Sequence, residues 1–349
     1  MRTLLIALLI GASALPVFAP ASSSAATTIV GPLRTSGNKI LDGNGNPIIF
    51  RGVVIARMNS NPAIDVSPLS EASFDAMLRW RVNQVRVSLG QQYWLSNECQ
   101  YTPSYATNVD TIVNRITSRG MAVMLSLGRV TRKTCGKADN ARMADQASLE
   151  FWRQVAERYR SNPLVTFDLF NEPHDITWDV WKWGGTITDK TITYQAAGMQ
   201  QMYDAVRSTG AQNLVYVSGN HWASKDPFDG YFLSGYNIVY GKHAYTCTVN
   251  PPPNCNKDNP FDPAPPGRRL SAWVDTIATH PVQITEFGWP SETDGTYNTN
   301  VITWAEDHGI GWGAFSWTID DKFALVTDWG TYTPTKSGTP IAYGLLLNR

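Results

Sequence analysis

Residues 165–174 read VTFDLFNEPH. The first half alternates through apolar residues and reads as a buried β-strand. It stops at Asn171, Glu172 and Pro173. A carboxylate at the end of a core strand costs free energy unless it is paired or hydrogen-bonded, and proline then fixes the turn. Residues 282–290, VQITEFGWP, repeat the plan: a strand that ends on an acid, Glu286. The two acids lie 114 residues apart (286 − 172). That spacing equals three strand–helix units of about 38 residues, and units of this kind build a (β/α)8 barrel.

Working outward from that stretch gives the same rhythm. Strands are predicted in IIFRGVVI, VNQVRVSL, MAVMLSLG, LVTFDLF, NLVYVSGN, YNIVYGKHAY, VQITEFG and IGWGAFSW. Helical patterns follow them: SEASFDAMLRW with Ser70 as N-cap, NVDTIVNRITSRG ended by Gly120, DQASLEFWRQVAERYR, YQAAGMQQMYDAVRSTG ended by Gly210, RRLSAWVDTIATH, TYNTNVITWAEDHG and GTPIAYGLLLN. Ahead of them, two short runs flank DGNGNP and read as a hairpin. Near-continuous apolar strands suit a parallel sheet covered on both faces. Eight units predict an α/β protein, a (β/α)8 TIM barrel with an N-terminal hairpin. The alternative is an open doubly wound sheet, which the missing G-x-G-x-x-G turn after the first strand disfavours.

Bulk composition bounds the function. The chain has 349 residues, no net charge, 17% charged residues and 13 tryptophans. No basic stripe invites nucleic acid. A weakly charged surface rich in indoles suits a neutral, hydroxylated ligand. Residues 1–26 have the order of a secretory signal peptide: Arg2, the apolar run LLIALLIGASALPVFA, then small residues. A membrane anchor is the competing reading, and Gly11 and Pro16 interrupt the run. Removing the leader leaves residues 27–349 as one catalytic domain, secreted and monomeric. Four cysteines behind a leader suggest two disulfides. Chain order favours Cys99–Cys135 and Cys247–Cys255, with two other connectivities open. No CxxC spacing or His cluster supports zinc, so no metal and no cofactor are expected. The Pro-rich insert at residues 248–267, TVNPPPNCNKDNPFDPAPPG, is expected to cover the barrel mouth.

Barrel active sites sit at the C-terminal strand ends. Those ends supply Arg86, Asn171, Glu172, Trp222, His243, Tyr245, Glu286 and Trp317. Two carboxyls at one mouth suit glycosidic bond cleavage: one donates a proton to the leaving oxygen and the other attacks the anomeric carbon. Arg86 is expected to hold Glu286 ionised, with Glu172 protonated longer in a drier niche. A structural ion pair is the bland alternative for these charges. Among the tryptophans, Trp181 and Trp222 are expected to meet sugar, together with Trp178, Trp183 and Trp94, while Trp80, Trp152, Trp273 and Trp304 fall on core patterns.

FNEP at 170–173 and ITEFGW at 284–289 resemble clan A glycoside hydrolases, and most closely family 5, the cellulase-like family. GNPIIFRGV, VRVSL, KHAY and AFSW are similar to that family's first, second, sixth and eighth strands, so the likeness spans nearly the whole mature chain. The resemblance implies that Asn171 binds the sugar 2-hydroxyl, Glu172 is acid/base and Glu286 nucleophile. It makes Arg86 and His243 site residues, Tyr245 the nucleophile's hydrogen-bond partner, and Trp317 the floor of the −1 subsite. It also implies a retaining endo-β-1,4-glucanase on β-linked polysaccharide or oligosaccharide. A β-mannanase or a non-catalytic carbohydrate-binding barrel are the alternatives. One position departs: where the family's third strand usually ends in histidine, this chain has Gly128.

Overall fold

The computed structural model describes residues 28–135, 137–139, 141–189, 192–245 and 270–347. The expected leader at 1–26, the expected Cys247–Cys255 pair and the Pro-rich insert lie outside the described residues.

Eight parallel strands close on themselves: β1 Arg51–Ile55, β2 Gln84–Gly90, β3 Ala122–Thr134, β4 Val165–Asp168, β5 Val215–Ser218, β6 Ile238–Ala244, β7 Val282–Phe287 and β8 Gly311–Phe315. Each pairs with the next in chain order, and β8 returns to β1 with Gly313 opposite Gly52. The fold is the expected (β/α)8 barrel.

The interior is layered by side-chain alternation. At the bottom Phe50, Ala122, Met124, Leu214, Tyr216 and Val239 form an apolar plug. Above it, Tyr216 donates to Gln283 Oε1 at 2.7 Å, and Gln283 Nε2 donates to Gln84 Oε1 at 2.6 Å. Two residues further along the same inward faces stand Arg86, Ser126 and Asp168. Polarity therefore rises toward the C-terminal mouth, and buried polar groups are satisfied by their neighbours.

The opposite strand faces pack under helices. Glu71–Arg79 is capped by Ser70, whose Oγ accepts the Ser73 N–H at 3.2 Å. Its acid-first, base-last ends complement the helix dipole. It buries Phe74 and Met77 in the main core with Val53, Val85 and Val87, each large side chain contributing about 1.5–3 kcal/mol.

The N-terminal hairpin expected at DGNGNP forms: Leu41 bridges Pro47 antiparallel, and Asp42 Oδ1 accepts the N–H groups of Asn44 and Asn46. A further hairpin precedes it, Arg34–Ser36 with Lys39–Leu41, turning at Gly37 and Asn38. One local expectation changes. The helix expected from Tyr194 begins at Met199, since Ile192–Ala196 pairs antiparallel with Gly185–Asp189. Alternating Thr and Ile in TITDKTITY favour that hairpin over a helical turn. Outside the barrel, β3 runs on to pair antiparallel with Lys137–Asp139, and Cys99 is bonded to Cys135 as expected.

Candidate active site

Period-2 alternation along β7 turns Gln283 and Thr285 inward and should turn Glu286 out. A bulge corrects this. Lys242 pairs with Ile284 but His243 pairs with Glu286, so Thr285 is the extra residue. Bulges re-aim side chains in this way. Glu286 consequently enters the mouth beside His243 from β6.

Around Glu286 the polar contacts are short. Arg86 Nη1 donates to its Oε2 at 2.9 Å, and the Tyr245 hydroxyl donates to its Oε1 at 2.8 Å. His243 Nδ1 lies 2.7 Å from Glu172 Oε1 and 3.9 Å from Glu286 Oε1. Arg86 Nη2 donates to Asn171 Oδ1 at 2.6 Å. The ligand atoms of Glu172, His243 and Glu286 all fall within 4.8 Å of one another. This trio could hold a divalent cation by donor type; His243 Nδ1 and Glu172 are bonded to each other, Glu286 to Arg86 and Tyr245, and His243 Nε2 is buried without a hydrogen-bond partner. Burial first, and the Glu286 carboxylate second, push the Tyr245 hydroxyl well above its usual range, which keeps it a donor. Burial works against the charge on Arg86, but Asp168 and Glu286 outweigh it and hold the guanidinium charged.

The drier-niche expectation is reversed. Glu172 is the more open acid, with 24% of its side chain accessible against 10% for Glu286. What separates the two is bonding: Glu286 receives a cation and a phenol, whereas Glu172 meets only the imidazole of His243 among these groups.

Three tryptophan expectations are corrected. Trp181 is fully buried and its Nε1 donates to Ser218 O at 3.0 Å, so it packs beneath the loop after β4. Trp317 is 1% exposed; its Nε1 donates to Ser73 Oγ at 2.6 Å and its ring meets Trp80 edge-on at 4.8 Å. It anchors the end of β8 to the first barrel helix. Phe315, partly exposed, is the freer aromatic of the cleft of about 520 Å³ that both line with Ile55, Arg57 and Trp329. Trp94 is also a core residue, with Nε1 bonded to Gln154.

Trp222 does face the mouth, 38% exposed. It lies flat on His174, with centroids 3.6 Å apart. Its backbone N–H donates to Pro173 O at 2.8 Å. His221, Trp222 and Ala223 all hold positive φ (53°, 62° and 53°), a strained run that this packing sustains.

Asp168 escaped the sequence reading. It is fully buried on β4 and bonded to Arg86. Its signal was a lone charge on the inward face of an apolar strand. The space beside Gly128 is taken by Asn59, whose Nδ2 would lie 3.0 Å from any Cβ placed there.

Comparison with known proteins agrees with this geometry. The family model described as Cellulase (glycosyl hydrolase family 5) matches residues 41–321. An endoglucanase of Paenibacillus polymyxa is 25% identical over 311 residues, covering 78% of this chain and 74% of that protein. Endoglucanase E-5 of Thermobifida fusca is 21% identical over 318 residues, covering 86% of this chain but 59% of the relative, so the chain spans about three fifths of that protein. In fold, the β-glucanase SdGluc5_26A of Saccharophagus degradans, solved with cellotetraose, superposes with a TM-score of 0.68 at 20% identity, covering 95% of this chain and 97% of the other. The chain belongs to glycosyl hydrolase family 5 and is a glycoside hydrolase.

Proposed function

We propose that the protein is a secreted, monomeric, retaining endo-β-1,4-glucanase, with residues 1–26 as its leader and 27–349 as one catalytic domain. The observation that carries the reading is the closeness of the acids: one carboxyl oxygen of Glu172 lies within 4.8 Å of one of Glu286, too near for a water to stand between those two atoms and an attacked carbon. Retaining enzymes hold the two carboxyl groups about 5–5.5 Å apart, whereas inverting enzymes need about 6.5–9.5 Å to admit water.

In the first step Glu286 attacks the anomeric carbon and a C–O ester bond forms. The glycosidic C–O bond breaks, and the proton of Glu172 goes to the departing oxygen. Glu172 is now a carboxylate. In the second step it takes a proton from water, the hydroxide oxygen bonds the anomeric carbon, and Glu286 is released. Arg86 and Tyr245 fix the attacking carboxylate and cost no reorganisation during the reaction. Trp222 offers an indole face to a pyranose on the side of Glu172.

A β-glucan substrate is supported by relatives named endoglucanases and by the cellotetraose held in a neighbour of the same fold. The endo mode follows the relatives named endoglucanases. The test is reducing-sugar release from carboxymethylcellulose, barley β-glucan, xyloglucan, glucomannan, galactomannan and xylan, with Glu286→Ala in parallel. Release from the glucans, lost in the variant, is expected. Release from the mannans alone would replace the glucanase reading with a mannanase whose altered position is Gly128.

A further inference from the structure

Asp168 has no exposure to solvent, and its carboxylate is saturated by donors. Its Oδ2 accepts Arg86 Nη2 at 2.6 Å, Arg86 Nε at 3.0 Å and Ser126 Oγ at 2.8 Å, while Oδ1 accepts Ser218 Oγ at 3.4 Å. Arg86 is itself 2% exposed, and two of its N–H groups serve Asp168 while one serves Glu286. Arg86 Nη2 also donates to Ser126 Oγ at 2.9 Å, so the β3 hydroxyl bridges the β2 cation and the β4 anion.

We propose that Asp168 is a positioning residue, a permanent counter-charge that keeps Arg86 paired while Glu286 passes from carboxylate to glycosyl ester and back. The proposal rests on the double-displacement reading above. Before attack, Arg86 touches two carboxylates, Asp168 and Glu286. When the ester bond forms, Glu286 loses its charge. The balancing negative charge appears on Glu172, which contacts His243 rather than Arg86. Without Asp168, the buried guanidinium would lose its only contacting anion as the ester forms, and an unpaired buried charge is strongly unfavourable. With Asp168 present, a neutral pair remains throughout. Asp168 also divides the field of the cation, so that Glu286 is oriented by Arg86 without being locked to it.

The charged and titratable groups around Glu286 are Arg86 from β2, Glu172 from the loop after β4, and His243 and Tyr245 from β6 and its end, while Asp168 of β4 and Asn171 reach it through Arg86. Tyr216 of β5 pairs in register with Asp168 on the neighbouring strand, and burial above all, with this carboxylate adding, raises its hydroxyl. Changing Asp168 alone to Asn leaves the shape and removes one negative charge from this set. Arg86 then acts on Glu286 undivided, which makes that carboxylate harder to protonate. The acid limb of kcat/KM should move to lower pH.

The test uses the full mature protein with 2,4-dinitrophenyl β-cellobioside, whose phenolate leaves without protonation and so reports the first step alone. For Asp168→Asn, the burst of dinitrophenolate is expected to slow by about tenfold or more, with the glycoside concentration that half-saturates the burst rate little changed. Its acid limb should lie lower by about half a pH unit or more. A wild-type burst rate and acid limb in a folded D168N overturn the role, even if the melting temperature falls. Should D168N fail to fold, Asp168→Glu carries the test: it keeps the charge, so its acid limb should stay within about 0.3 pH unit of wild type, and a displacement of about one unit overturns the proposal. A wild type inert on this glycoside and on every polysaccharide overturns the double-displacement reading and Asp168 with it. An active wild type matched by D168N overturns Asp168 alone.

Discussion

The Tyr245 hydroxyl donates to Glu286 Oε1 at 2.8 Å while Arg86 donates to the other oxygen at 2.9 Å. The nucleophile is thus held at both atoms, by a neutral donor and by a cation. A hydrogen bond to a charged group contributes about 1.5–3 kcal/mol. Tyr245→Phe should therefore lower kcat about tenfold to a hundredfold. Burial and Glu286 raise the Tyr245 hydroxyl, so it stays protonated as pH rises through neutrality. The loss should then hold constant from neutral to mildly alkaline pH and deepen only on the acid side, where Glu286 has lost a donor that favours its charged form. Steady-state kinetics across that range check it, and a defect confined to alkaline pH would sink the account of Tyr245 as a fixed donor.

Glu98 offers a stability test remote from the chemistry. Burial first and Asp145 second raise its carboxyl above the usual 4.5, against a Gln91 amide contact that lowers it. The ionised form is therefore disfavoured in the folded chain. Below the ordinary carboxylate value Glu98 is protonated whether folded or not, and no cost is present. As pH climbs from 4.5 through the raised folded value, stability is lost. Glu98→Gln removes the charge, so its melting temperature should exceed that of wild type by about 1 °C or more near pH 7 and match it near pH 4. Equal melting curves at both pH values would contradict the assignment.

Trp181 and Trp222 should separate cleanly. Trp181→Ala empties a fully buried site and breaks the bond to Ser218 O, costing about 3–5 kcal/mol of stability. Trp222→Ala removes a partly exposed ring, so the melting temperature should hold while KM for oligosaccharide rises. Thermal melts and kinetics on the two variants decide between a wall residue and a platform.

Those two indoles also mark the limit of the sequence. Both follow strand ends, and their neighbours give no period that tells an inward ring from an outward one. The barrel was legible because apolar runs and helical patterns alternate eight times. The acids were legible as motifs, yet simple alternation along VQITEFG would have turned Glu286 away from the mouth. Only the bulge at Thr285, a property of how β6 and β7 pair, brings it in. Trp317 was misread for a related reason: AFSW fixes its place in the chain, but not that its indole turns to Ser73. Asp168 was visible as a lone charge in FDLF, and its meaning emerged only once Arg86 stood beside it, across β3.

The most direct test of the central claim is the stereochemistry of cleavage. Proton NMR of the first-formed reducing end, recorded before mutarotation on the best polysaccharide or oligosaccharide substrate, reads it. Carboxyl oxygens of Glu172 and Glu286 that approach within 4.8 Å predict that the β-anomer appears first and the α-anomer only by mutarotation. Initial appearance of the α-anomer would mean direct attack by water, and would contradict Glu286 as a covalent nucleophile.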